Sequence, residues 1–162
     1  KRQVLDISKI ESNTLTFVLA NHEMKALMKD IYSIILLRMT ENVELRLDDC
    51  QPFTLYTDRS RLTQVLTNLL TNAIKHTKKG YICFGYDVTE QEIRFYVTDT
   101  GEGIPDDQLE RVFDRFVKLT QWTNGVGLGL AISKALVTKL GGRIEVTSQQ
   151  GVGSTFSVIF PR

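Results

Sequence analysis

One run constrains this chain more than any other: Asn68-Leu-Leu-Thr-Asn72-Ala-Ile-Lys75-His76. It lies inside a helical pattern that begins near Asp58, with apolar residues at Leu62, Val65, Leu66, Leu69, Leu70, Ala73 and Ile74. That spacing assigns one face of a helix to the core. At about 100° per residue, Asn68, Asn72 and Lys75 fall within roughly 60° of one another on a different face, and Arg61 and Gln64 extend the row. Taken alone, such a row is most simply a solvated face. Its meaning depends on the glycine-rich turns that follow it.

Composition narrows the classes. The 162 residues, 42% hydrophobic and 24% charged, suit about one domain with a sizeable core. A net charge of +1 with scattered basic residues leaves no footprint for nucleic acid or for an anionic membrane. Cys50 and Cys83 form no metal-spaced pair, so a reduced, cytoplasmic setting is expected. The longest apolar run, residues 34–37, is far too short to span a bilayer, and no signal-peptide pattern is present. The chain starts at Lys1 without a methionine and reads as a piece of something longer, whose own membrane segments this stretch does not report.

In chain order the pattern predicts an α+β fold. Residues 4–12 read as the end of a helix and residues 15–19 as a strand. Asn21 is placed to cap a helix of about residues 22–39, with Met24, Leu27, Met28, Ile31, Ile34, Ile35 and Leu37 on its apolar side. Strands follow at residues 43–47 and 53–56, then the central helix, capped by Asp58 and ending near Gly80. Residues 81–88 and 93–99 form a hairpin in which period two aligns Asp99 with Ile93, Phe95 and Val97. A carboxylate thus continues an apolar row just where the chain enters Gly101-Glu-Gly103. A helix of about residues 106–117 turns Leu109, Val112, Phe113 and Phe116 inward. After a loop at residues 118–124, Gly125-Val-Gly127-Leu-Gly129-Leu opens a helix closed by Gly141-Gly142. Strands at residues 143–148 and 154–160 finish the chain. Hairpins mixed with helices in this order predict a mixed sheet with helices on one face.

A glycine-rich turn at a helix start presents backbone N–H groups and the positive dipole end to an anion, with no Cβ to hold a phosphate off. Residues 125–130 have that form. Asn72 offers a neutral oxygen suited to a hard Mg²⁺ that takes its other ligands from phosphate and water. Lys75, one turn on, can meet phosphate charge. Asp99 is an acceptor in an apolar row that needs a donor, and an adenine amine would serve. Each feature also has a plain structural reading: Asp99 as the cap of its own turn, Gly101 and Gly103 as a bend before Pro105, Gly151 and Gly153 as a hairpin. The glycine spacings fit neither the Walker phosphate loop nor the dinucleotide fingerprint.

Taken together, the motifs resemble the ATP-binding catalytic domain of sensor histidine kinases, of the ATPase superfamily shared with gyrase, the heat-shock chaperone ATPases and mismatch-repair proteins. The N box looks like residues 68–76, the first glycine box like Asp99-Thr-Gly101-Glu-Gly103-Ile104, and the phenylalanine box like Phe113-Asp-Arg-Phe116. The second glycine box looks like Gly125-Val-Gly127-Leu-Gly129-Leu130 and the last like Gly151-Val-Gly153-Ser-Thr155-Phe156. The resemblance implies an α/β sandwich with about three helices on one face of a mixed sheet. It implies a remnant of the dimerisation and phosphoacceptor hairpin at residues 1–12 and the ATP-binding domain at residues 13–162. By the same resemblance Asn72 coordinates Mg²⁺ with Asn68 beside it, Lys75 and His76 lie along the nucleotide, and Asp99 bonds the adenine amine. Gly101, Gly103 and Ile104 shape the adenine pocket with Thr155 near it. Gly125, Val126, Gly127 and Leu128 receive the phosphates, and Lys118 stands where some relatives place a basic contact. Implied partners are the chain's own hairpin and a response regulator receiver domain. The piece itself is expected to be monomeric and cytoplasmic, from a homodimeric bacterial parent that an inner-membrane anchor would suit.

Two departures qualify the resemblance. No phosphoacceptor histidine is present: His22 lacks the acidic and Leu-Arg-x-Pro-like context, and His76 lies within the N box. The stretch that would cover the nucleotide, residues 117–124, is short and carries Trp122. Two other classes share the pocket, an ATP hydrolase and a non-catalytic interaction module. The hydrolase branches use a glutamate as general base one turn before the magnesium asparagine, and here that position is Asn68, whose neutral amide cannot accept a proton from water. The intact boxes speak against a module that binds no nucleotide.

Overall fold

The computed structural model describes residues 15–114 and 128–162. Among these the elements run β1 Ala20–Glu23, α1 Met24–Leu36, β2 Val43–Leu47, β3 Thr54–Thr57, α2 Arg59–His76, β4 Gly80–Val88, β5 Glu92–Asp99, a 3-10 turn Asp106–Arg111, α3 Leu128–Lys139, β6 Arg143–Gln149 and β7 Gly153–Pro161. The expected helix end at residues 4–12 lies outside the described residues.

The N-terminal part departs most from the sequence reading. The β-forming residues 15–19 are not a strand; β1 starts at Ala20 because residues 20–23 pair antiparallel with β3, from Ala20 opposite Thr57 to Glu23 opposite Thr54. Asn21 therefore belongs to a strand and caps nothing. Glu23 caps α1 instead, its carboxylate accepting the Lys25 and Ala26 N–H groups at 2.7 and 3.2 Å. The helix is shorter than expected, and Ile34 and Leu37 face outward at 47% and 88% exposure. Met24, Leu27, Met28, Ile31 and Ile35 do carry the core face.

Asp58 caps α2 as predicted, one carboxylate oxygen accepting the Arg61 N–H at 3.0 Å and the other the Val18 N–H at 2.8 Å. The same side chain thus starts the central helix and ties down the segment that enters the fold. Helix α2 ends at His76 rather than near Gly80. The described part of the predicted residue 106–117 helix is only a 3-10 turn ending at Arg111, and Phe116 lies outside the described residues.

The main sheet has the order β2-β4-β5-β7-β6, with β2 parallel to β4 and the other pairs antiparallel. Strand β5 alternates buried and half-buried residues along its whole length, so one face is covered and the other is not. The covered face meets Leu27 and Ile31 of α1, Leu66 and Leu69 of α2, and Ile132 and Leu136 of α3 over Phe84, Phe95 and Phe156 of the sheet. Burial of each such side chain is worth about 1.5–3 kcal/mol. No helix among the described residues is long and apolar enough to cross a membrane.

Candidate functional site

Asp99 is the last residue of β5 and lies on the helix-covered face in the row of Ile93, Phe95 and Val97, as period two predicts. At 6% exposure it is a carboxylate inside the core layer. Burial pushes its pKa up, while the N–H groups of Gly101 and Ser154 pull it down; the Gly101 N–H donates to Oδ1 at 2.9 Å. Two backbone donors on a carboxylate leave acceptor capacity, since an ionised carboxylate offers about four lone-pair sites.

The turn after Asp99 runs between α2 and the β6–β7 hairpin with no room to move. A Cβ on Gly101 would stand 2.3 Å from the His76 carbonyl oxygen, and one on Gly103 2.2 Å from the Gln149 carbonyl oxygen, with φ of +71° at Gly103. Both positions therefore require glycine. Glu102 bonds to both neighbours: its N–H donates to the His76 carbonyl at 3.2 Å, and its carbonyl accepts the Gly151 N–H at 2.7 Å. Ile104, fully buried, donates its N–H to Ser148 Oγ at 2.7 Å.

On α2 the expected row holds. Arg61 donates to Gln64 at 2.9 Å, Asn68 and Asn72 are half-buried and Lys75 is exposed. The amide nitrogen of Asn68 reaches across to α3, 3.4 Å from both the Gly129 carbonyl and Ser133 Oγ, which brings the start of α3 against the row. His76 departs from it. Its ring is buried, with Nδ1 2.8 Å from Glu102 Oε1, so it fastens the end of α2 to the first glycine turn. Phe113 packs edge-on against Phe156 at 5.9 Å, joining the phenylalanine box to the last strand.

Thr155 lines one cavity with Asp99, Ser148 and Ser154. Its hydroxyl lies 2.9 Å from that of Thr98, on the sheet face opposite Asp99. The residue on the Asp99 side is its neighbour Ser154, 4% exposed and directly opposite Asp99 in the β5–β7 register. Period two counted back from buried Phe156 carries the signal for Ser154, and Ser148 joins the same row opposite Ser154. Leu128 opens α3. Lys118, Gly125, Val126, Gly127 and Trp122 lie outside the described residues. The structure thus brings His76, Asp99 and Gly101 together where α2 and β5 end, joins Gly103 and Ile104 to the β6–β7 hairpin, and sets Asn68 of α2 against the start of α3.

A family model described as histidine kinase-, DNA gyrase B- and HSP90-like ATPase matches residues 57–162. The sensor protein SrrB of Staphylococcus aureus is 44% identical over 110 residues, 65% of this chain and 19% of that protein. Among solved structures, full-length ShkA in complex with AMPPNP superposes with a TM-score of 0.89 at 30% identity, over 99% of this chain and 34% of that one. The catalytic domain of histidine kinase ThkA gives a TM-score of 0.77 at 25% identity, over 90% of this chain and 98% of that one. The mixed sheet and its helices are those of histidine kinase catalytic domains, and the chain spans about a fifth of the sensor proteins it matches. With the family model covering more than half of its length, the chain belongs to the histidine kinase-, DNA gyrase B- and HSP90-like ATPase family.

Proposed function

We propose that this chain is the catalytic part of a two-component sensor histidine kinase. It binds ATP with Mg²⁺ and transfers the γ-phosphoryl group to a histidine on a separate hairpin, for relay to a response regulator aspartate. The observation that carries the choice of a kinase is Asn68. The position one turn before Asn72 holds a neutral amide whose nitrogen bonds to α3, so no carboxylate stands there to activate water. Transfer to imidazole needs no such base, because a neutral histidine is already a nucleophile and catalysis is mainly positioning and charge neutralisation.

The residues fit the cofactors. Asn72 and Asn68, one turn apart on α2, offer neutral side-chain oxygens of the kind a largely hydrated Mg²⁺ accepts. Bound there, Mg²⁺ would neutralise charge on the β- and γ-phosphates. Lys75 adds a cation at the exposed edge, Asp99 takes the adenine amine, and Gly125, Val126, Gly127 and Leu128 are the residues that would receive the phosphates. The hairpin and the receiver domain are the protein partners in this reading, with the chain monomeric and cytoplasmic and its parent a homodimer.

Calorimetric titration with ATP, with and without Mg²⁺, is the test, followed by phosphoryl transfer to a separately supplied acceptor hairpin. Saturable one-site binding and a labelled hairpin are expected. ATP hydrolysis that outpaces transfer would favour the hydrolase reading. Absence of nucleotide binding would favour a non-catalytic module.

A further inference from the structure

Ser148 lies outside every motif that pointed to the nucleotide, yet its oxygen makes three polar contacts and reaches the hydroxyl of Ser154, the residue opposite Asp99. It accepts the Ile104 N–H at 2.7 Å, donates to the Gly153 carbonyl at 3.0 Å, and lies 2.8 Å from Ser154 Oγ. A hydroxyl has one proton and two acceptor sites. With its proton on Gly153, Ser148 can only accept from Ser154, so the Ser154 proton points at Ser148. The rest of the Ser154 oxygen then offers lone pairs alone. Ser148, Ser154 and Asp99 occupy paired positions on three adjacent strands and share the covered face. The pocket wall therefore presents a carboxylate and a hydroxyl oxygen that both accept and do not donate.

We infer that Ser148 is a positioning residue that sets base selectivity: by fixing the proton of Ser154 it makes this wall a recess for a donor, which admits a 6-amino purine and rejects a 6-oxo purine. The inference rests on the adenine reading of Asp99 and adds to it the group that sets the polarity of its neighbour. Rejection follows because a purine oxygen facing two acceptors loses its hydrogen bonds to water and gains none. Removing Ser148 frees Ser154 to rotate and donate, and the same wall then tolerates an oxo group.

The test is calorimetric titration of the chain with ATP and, separately, with inosine triphosphate, for wild type, Ser148→Ala and Ser148→Thr. Wild type is expected to prefer ATP, Ser148→Ala to narrow that preference by about tenfold, and Ser148→Thr, which keeps the hydroxyl, to restore it. If Ser148→Ala weakens both nucleotides equally and leaves the ratio unchanged, Ser148 only supports the turn at Ile104 and the inference is overturned. Should Ser148→Ala fail to fold, Ser148→Cys fills the space with a weaker donor and acceptor; a narrowed ratio supports the proposal and an unchanged one overturns it. A wild type that binds neither nucleotide overturns the adenine reading itself. That result is distinct from binding with an unmoved ratio.

Discussion

Two aspartates on opposite faces of the sheet show what distinguishes a ligand group from a staple. Asp48 is exposed and meets side chains: Tyr96 OH donates to its Oδ2 at 2.5 Å and the Cys83 thiol at 3.1 Å. Asp99 is buried, and its donors are the backbone N–H groups of Gly101 and Ser154. Side-chain donors can move with their acceptor, so the Asp48 cluster closes on itself and joins the segment after β2 to β4 and β5. Backbone donors in a glycine turn cannot follow a carboxylate, and the acceptor sites they leave stay aimed into the pocket. Burial sharpens the contrast. It strengthens every hydrogen bond that Asp99 makes and raises the cost of leaving one unmade.

The largest effect is expected from Asp99→Asn, which puts an N–H₂ group where the adenine amine should donate. ATP affinity should fall at least 100-fold by calorimetry, while the melting temperature rises, because a buried charge that burial disfavours is gone. Unchanged ATP affinity would erase the distinction between the two aspartates. Asn72→Ala comes next: phosphoryl transfer to a supplied hairpin should drop about 100-fold, with ATP affinity down by only about tenfold, because the lost contact acts mainly on the transferring phosphate.

The pH dependence is a third way to sharpen the comparison. Burial raises the Asp99 pKa, so its proton returns at a higher pH than for an ordinary carboxylate. The ionised form is the acceptor, so ATP affinity should hold from pH 8 to 7 and decline as pH falls toward that raised value, whereas Asp99→Asn should be flat. Folding stability runs the opposite way. The folded state holds the proton more tightly, so this group costs stability as pH rises from the unfolded carboxylate value through the folded one.

The smallest effect belongs to Asp48. Burial, then the hydrogen bond to Asp48, pushes the Cys83 thiol up to about 12. Asp48→Asn should lower that pKa and speed alkylation of Cys83 at pH 8 severalfold while leaving ATP affinity unchanged. A change in ATP binding would make the outer cluster part of the site.

Much of the site was legible because its signals are local. Helix periodicity alone put Asn68, Asn72 and Lys75 on one row, and strand periodicity put Asp99 on the covered face. What escaped the sequence depends on long-range pairing. Asn21 has a better side chain for capping than Glu23, but the ladder between β1 and β3, more than thirty residues apart, claims residues 20–23 and moves the helix start. His76 is set by the fold against Glu102, 26 residues away, a pairing that no local spacing announces. Thr155 and Ser154 are adjacent, chemically alike and separated only by which face of β7 they occupy.

The sequence by itself determined the family, the order of elements, and the residue types a nucleotide pocket needs, because these are carried by spacings of a few residues. Only the tertiary structure decided which hydroxyl stands opposite Asp99 and which oxygens that hydroxyl meets. Those depend on the register of β5, β6 and β7, where a shift of one residue turns every side chain to the other face.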